Sequence, residues 1–163
     1  MDEPKPDRAR PQPSSFDRAV RLLATRAHFR EELRRKLADK GHAEAEIEET
    51  LARLAALGHL DDRRLATEEA ERLRSRKGLA RRGVAAELRR KGVAGEAIDA
   101  ALDGGPDERS QALEAARRWL RTHRPDAAAL SRHLDRKGFG RGEIYRTLAE
   151  LDLGREAVDE GGD

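Results

Sequence analysis

Three times along the chain a Lys-Gly pair sits in the same frame of apolar residues. Around Lys40-Gly41 these are Leu33, Leu37, Ile47 and Leu51; around Lys91-Gly92, Val84, Leu88, Ile98 and Leu102; around Lys137-Gly138, Leu130, Leu134, Ile144 and Leu148. All twelve positions match, and the glycines lie 51 and 46 residues apart. Residues four apart share one side of a helix, a glycine supplies the left-handed residue that ends it, and a second four-spaced pair opens the next helix. Units of this size bury their apolar faces on one another. The frame therefore predicts an all-α fold, an elongated, solenoid-like array of three tandem three-helix repeats.

Composition supports thin layers over a thick core. The chain has 163 residues, 3% aromatic and 40% charged, so Leu, Ile, Val and Ala must fill the space between helices. With no cysteine, disulfides and thiolate metal sites are excluded, which suits the cytoplasm. No apolar run reaches the length of a membrane span, and the N-terminus carries no apolar export signal.

Taken in order, residues 1–15 hold four of the six prolines and read as a disordered leader. Repeat one covers 16–58, with helices over 17–27, 30–40 and 43–57. Repeat two covers 59–103; Leu65, Ala66, Ala70 and Leu73 face inward on its first helix, and helices over 79–91 and 94–102 follow. Gly104-Gly105-Pro106-Asp107 is the expected flexible joint. Repeat three covers 104–152, and residues 153–163 form an acidic tail.

The stretch Arg72–Lys91 carries nine Lys/Arg against one acid, Glu87, in a chain whose net charge is only +2. Stepping 100° per residue from Val84 and Leu88 places Arg82, Arg89 and Arg90 away from the core. Arg74, Arg76 and Lys77 end the preceding helix, and Arg81 lies on the first turn of the same one. For any single residue the plain reading is a solvated helix end, since cations suit helix C-termini. An uncompensated cluster points instead to a polyanion or an acidic surface. Weaker excesses recur at Arg30, Arg34, Arg35 and Lys36 in repeat one and at Arg132, Arg136, Lys137 and Arg141 in repeat three, so that stacked repeats would align one cationic strip. Lys40, Lys91 and Lys137 are expected mainly to offset the negative ends of their helices.

Nothing in the sequence suggests catalysis. Asp61-Asp62 has no metal-ligand partner in register, and the five histidines (His28, His42, His59, His123, His133) show no ligand spacing. There is no phosphate loop or nucleophile elbow, so no catalytic residue, metal or cofactor is expected. Trp119 and Tyr145 sit at core spacing, away from the basic run, so nucleic-acid contact should be mostly to phosphates and sensitive to salt. Asn is absent and the only Gln residues are Gln12 and Gln111, which disfavours base-specific readout.

Taken together, RAHFREELRRKLADKG (26–41), GHLDDRRLA (58–66), RSRKGLARRGVAAELRRKGV (74–93) and LSRHLDRKGFGRGEIYRTL (130–148) resemble the RecX family of bacterial regulators of the RecA recombinase. The resemblance covers residues 16–151. It departs at Leu65, where an aromatic is common, and at Leu79, where proline often follows the Lys-Gly pair. It implies a monomeric, non-enzymatic cytoplasmic protein that binds the RecA–DNA filament in its helical groove. There it would inhibit ATP hydrolysis, strand exchange and co-protease activity, restraining recombination and the SOS response. Arg74, Arg76, Lys77, Arg81, Arg82, Arg89, Arg90 and Lys91, with Arg34, Arg35, Arg136 and Arg141, are the candidate contacts to single- or double-stranded DNA phosphate or acidic filament surface. A free-standing, sequence-nonspecific DNA-binding protein and a purely protein-binding helical scaffold stay open.

Overall fold

A computed structural model describes residues 13–153. Among these residues the chain is entirely helical, in the order α1 (Ser15–Thr25), α2 (Arg30–Ala38), α3 (Glu44–Ala56), α4 (Asp62–Lys77), α5 (Arg81–Arg90), α6 (Gly95–Leu102), α7 (Glu108–Leu120), α8 (Ala127–Lys137) and α9 (Arg141–Glu150). The helices pack in threes: α1 to α3 on each other, then α4 to α6, then α7 to α9.

The repeated frame builds three copies of one corner. At Gly41, Gly92 and Gly138 φ is +84°, +79° and +91°, the left-handed region a Cβ disfavours. Each of these glycine N–H groups donates to the carbonyl three residues back: Ala38, Arg89 and Asp135. The next N–H, from His42, Val93 or Phe139, reaches the carbonyl five residues back, at Leu37, Leu88 or Leu134. Otherwise orphaned carbonyls at the helix end are thereby satisfied.

The four-spaced pairs then face inward. Leu33, Leu37, Ile47, Leu51 and Leu54 are fully buried with Ala19, and Phe16, Leu22, Leu23 and Leu60 pack around them. In the second trio Ala66, Ala70, Leu73, Val84, Leu88, Ile98 and Leu102 are buried. In the third, Ala112, Ala116, Leu130, Leu134, Phe139 and Ile144 form the core, together with Ala80 from the loop before α5. Each buried Leu, Ile or Val contributes roughly 1.5–3 kcal/mol, so thin layers suffice.

Several expectations are corrected. Order begins before Phe16: Ser14 caps α1 by accepting from Asp17 N–H, and Ser15 is buried, its N–H donating to Glu46 Oε1 at 2.9 Å. The expectation of a leader over 1–15 thus fails at Ser14 and Ser15, and residues 1–12 of that leader and 154–163 of the expected acidic tail lie outside the described residues. Leu65 is only partly buried, and Glu69 takes an inward position on α4 instead. The chain divides into two compact units between Asp61 and Asp62. Gly104–Asp107, expected as the joint, therefore lies inside the second unit, where Asp107 caps α7 by accepting from Ser110 N–H.

Candidate polyanion-binding surface

In the first unit the candidate cations are neutralised. Arg34 pairs with Glu44 at 2.7 Å and Glu48 at 2.5 Å, Arg30 with Glu48 at 2.8 Å, and Arg35 with Glu31 one turn earlier at 3.2 Å. Bonding to Arg34 and Arg30 holds the Glu48 carboxyl below its ordinary range. Arg34 thus ties α2 to α3 while Arg35 pairs within α2, and the charges of Arg30, Arg34 and Arg35 are each met by a carboxylate.

The second unit differs. Four of the nine cations of Arg72–Lys91 pair with carboxylates: Arg72 and Lys91 with Glu69, Arg82 with Asp135, and Arg90 with Glu87. Glu69 is 8% exposed and accepts from Arg72 at 2.7 Å and Lys91 at 2.8 Å. The Arg72 bond, assisted by Lys91, overrides burial and holds its carboxyl down at about 2. Lys91 therefore clips α5 to α4 and does more than offset its own helix end.

Arg74 and Arg81 serve a different structural end. Arg81 donates to Leu102 O at 2.6 Å and Arg74 to Ala101 O at 3.4 Å, so both cap the last carbonyls of α6 with positive charge. Arg76, Lys77, Arg89, Arg136 and Arg141 are exposed. Like Arg74 and Arg81, they have no carboxylate partner among the described residues.

The start of α5 meets the end of α8 nearly backbone to backbone. Ala80 N–H donates to Lys137 O at 2.9 Å, and Arg82 reaches Phe139 O at 3.1 Å besides Asp135. A Cβ on Gly83 would lie 2.4 Å from Lys137 O, and one on Gly138 would lie 2.2 Å from Gly83 N. Only two facing glycines allow this approach, which joins a positive helix start to a negative helix end. Lys137 Nζ then donates to the Lys77 carbonyl at the end of α4, so its charge offsets the end of another helix.

This junction opens a cleft of about 490 Å³ between the end of α4 and helices α7 and α8. Trp119 lines it beside Arg74 and Lys77, contrary to the expectation that it stands apart from the basic run. Its ring stacks on His123, with centroids 4.3 Å apart and planes 9° apart, and His133 lies tilted at 6.1 Å. Tyr145 is also corrected: it is 75% exposed, because it follows Ile144 by one residue and so turns off the buried face of α9. Burial, then Lys137, Arg136 and His123, push His133 below the ordinary imidazole value. Burial, then Arg118 and Lys77, push Lys137 down as well.

Known proteins give this arrangement a context. Residues 16–54 match the model of the RecX first three-helix domain and residues 61–102 that of the RecX second three-helix domain. The regulatory protein RecX of Chlorobaculum tepidum is 38% identical over 149 residues, covering 89% of this chain and 92% of its own. Its namesake in Mycobacterium avium is 35% identical, over 94% and 95% of the two chains. The chain belongs to the RecX family. A crystal structure of RecX from Lactobacillus salivarius shares the fold, with a TM-score of 0.71 at 21% identity over 85% of this chain and 95% of that one. A second RecX crystal structure gives a TM-score of 0.75 at 20% identity over 83% and 71%.

RecX-family membership places this chain among regulatory proteins. Among its described residues no helix is long and apolar enough to cross a membrane, and no cluster of His, Asp or Glu could hold a metal ion. Sequence reasoning missed Glu69, three residues before the basic window. The i, i+3 spacing to Arg72 was the available signal. The cleft had no such signal, since its walls come from separate parts of the chain.

Proposed function

We propose that this RecX-family chain restrains the RecA recombinase by binding the RecA–DNA filament along its helical groove, lowering ATP hydrolysis, strand exchange and co-protease activity and so damping recombination and the SOS response. It acts as a cytoplasmic monomer through its three repeats, 16–58, 59–103 and 104–152. Arg76, Lys77, Arg89, Arg136 and Arg141 make the principal contacts to DNA phosphate or acidic filament surface, with Arg74 and Arg81 beside them. Arg82, Arg90 and Lys91 contribute less, because each already has a carboxylate.

The observation that carries this reading is the set of exposed cations in the second unit that no carboxylate offsets among the described residues. Like charges left together repel, and a polyanion relieves that cost by phosphate contact and counterion release. The test is RecA ATPase on single-stranded DNA at moderate salt, with the native chain and with Arg76, Lys77 and Arg89 all replaced by Glu. The native chain should slow hydrolysis and the triple variant should lose most of that effect. Equal inhibition by both would refute the assignment of these cations.

A further inference from the structure

The cleft at the end of α4 combines an aromatic wall with cations, and phosphate contact alone leaves the wall unused. Trp119 and His123 lie parallel at stacking distance, and His133 extends the row at a tilt. On the charged side stand Lys77 and Lys137, neither with a carboxylate partner among the described residues. Of the two acids at the rim, Glu114 is engaged by Arg118 at 2.7 Å and Glu71 is exposed. The volume of about 490 Å³ is that of a small-ligand cleft, large enough for an unstacked nucleotide and too small for a duplex.

We propose that this cleft receives one nucleotide of single-stranded DNA, its base added to the Trp119–His123 stack and its backbone phosphate held by Lys77 and Lys137. The inference rests on the reading that the chain works at a RecA–DNA filament, and it specifies how the single strand is gripped. Every base has a π-face, so the contact is tolerant of sequence. The Gly83–Gly138 approach fixes the Lys137 backbone, which makes the phosphate position part of the fold. Burial and the nearby Arg118 and Lys77 push Lys137 below the ordinary lysine value, and a bound phosphate would oppose that shift. An acidic peptide would satisfy the lysines and leave the ring wall idle.

Trp119 is the only tryptophan in the chain, so its emission reports this site alone. The full chain is titrated with oligothymidylate of about ten nucleotides, an abasic oligomer of equal length, the matching duplex and an acidic peptide. Oligothymidylate should quench the emission saturably. The abasic strand should bind about tenfold more weakly and without quenching, as expected for loss of one stacked base. Exposed His123 and Lys77 supply the variants: His123→Ala should weaken oligothymidylate binding by about tenfold, and Lys77→Gln should flatten its salt dependence by roughly one phosphate contact.

Equal quenching by the abasic strand, the duplex or the peptide, or none by oligothymidylate, would overturn the nucleotide site. Inhibition of RecA ATPase that persists without quenching would leave the regulator reading standing and remove only this one. Quenching without any effect on RecA would do the reverse.

Discussion

The same glycine corner occurs in both units of the molecule, but the acids facing it differ. In the first unit the α3 face that follows Gly41 presents Glu44 and Glu48, and they absorb Arg30 and Arg34 of α2. At the equivalent places after Gly92 stand Gly95 and Asp99, and after Gly138, Arg141 and exposed Tyr145. A repeated apolar frame thus carries two electrostatic outcomes, because apolar positions fix the packing while the exposed ones differ from repeat to repeat. The count of cations on a helix is therefore a poor guide to a binding surface until the facing helix is known.

The largest test of this contrast uses the glycines themselves. Gly41 and Gly138 share a left-handed φ, but a Cβ at Gly41 meets nothing within 4 Å while one at Gly138 would meet the α5 backbone at 2.2 Å. Gly41→Ala should cost only the conformational term, about 1–2 kcal/mol. Gly138→Ala adds an overpacking term and should cost a further 1–3 kcal/mol or so, read as a lower denaturant midpoint. Equal losses would show that the α5–α8 approach is not tight.

Next comes Glu69→Gln. The folded carboxyl at about 2 lies below its ordinary value of 4.5, so the folded state binds fewer protons. Its stabilisation is complete above the ordinary value and is lost as pH falls towards 2. With Arg72 54% exposed, solvent screening reduces the contribution, and the variant should be less stable by about 1–2 kcal/mol at neutral pH. The two proteins should converge in stability as the medium is acidified from pH 5 to pH 2 or thereabouts. A gap independent of pH would sink the ion-pair account.

Arg82→Gln removes a pair with both partners more than half exposed and should lower stability by about 0.5 kcal/mol, with a smaller loss in Asp135→Asn, which keeps the Arg82–Phe139 bond, and no loss in the double variant beyond that of Arg82→Gln. Finally, replacing Glu44 and Glu48 by Gln should release Arg34 from α3 to polyanions. Single-stranded DNA binding should then tighten by about two- to fivefold at low salt with a steeper salt slope. An unchanged slope would mean that the first unit lies away from DNA.

Much of the helical layout was legible in advance, within the usual end effects. The expected helix over 30–40 closes at Ala38, and that over 79–91 spans Arg81–Arg90, because the Lys-Gly corner and the preceding loop take up the terminal residues. Ser15 was misread as leader because its burial depends on Glu46 and Thr50, about thirty residues away. For the candidate site, exposure of Arg82, Arg89 and Arg90 followed correctly from helix geometry. The compensation of Arg82 did not, since it finds Asp135 across 53 residues of chain.

The sequence by itself determined where helices start, stop and turn apolar, since the 3.6-residue period and a residue with positive φ act within one or two turns. Tertiary structure alone decided that Glu48 takes up Arg34 and Asp135 takes up Arg82, and that Trp119 stands beside Lys77. Both depend on contacts between different helices, and Coulombic compensation depends on distance in space, which chain separation does not encode.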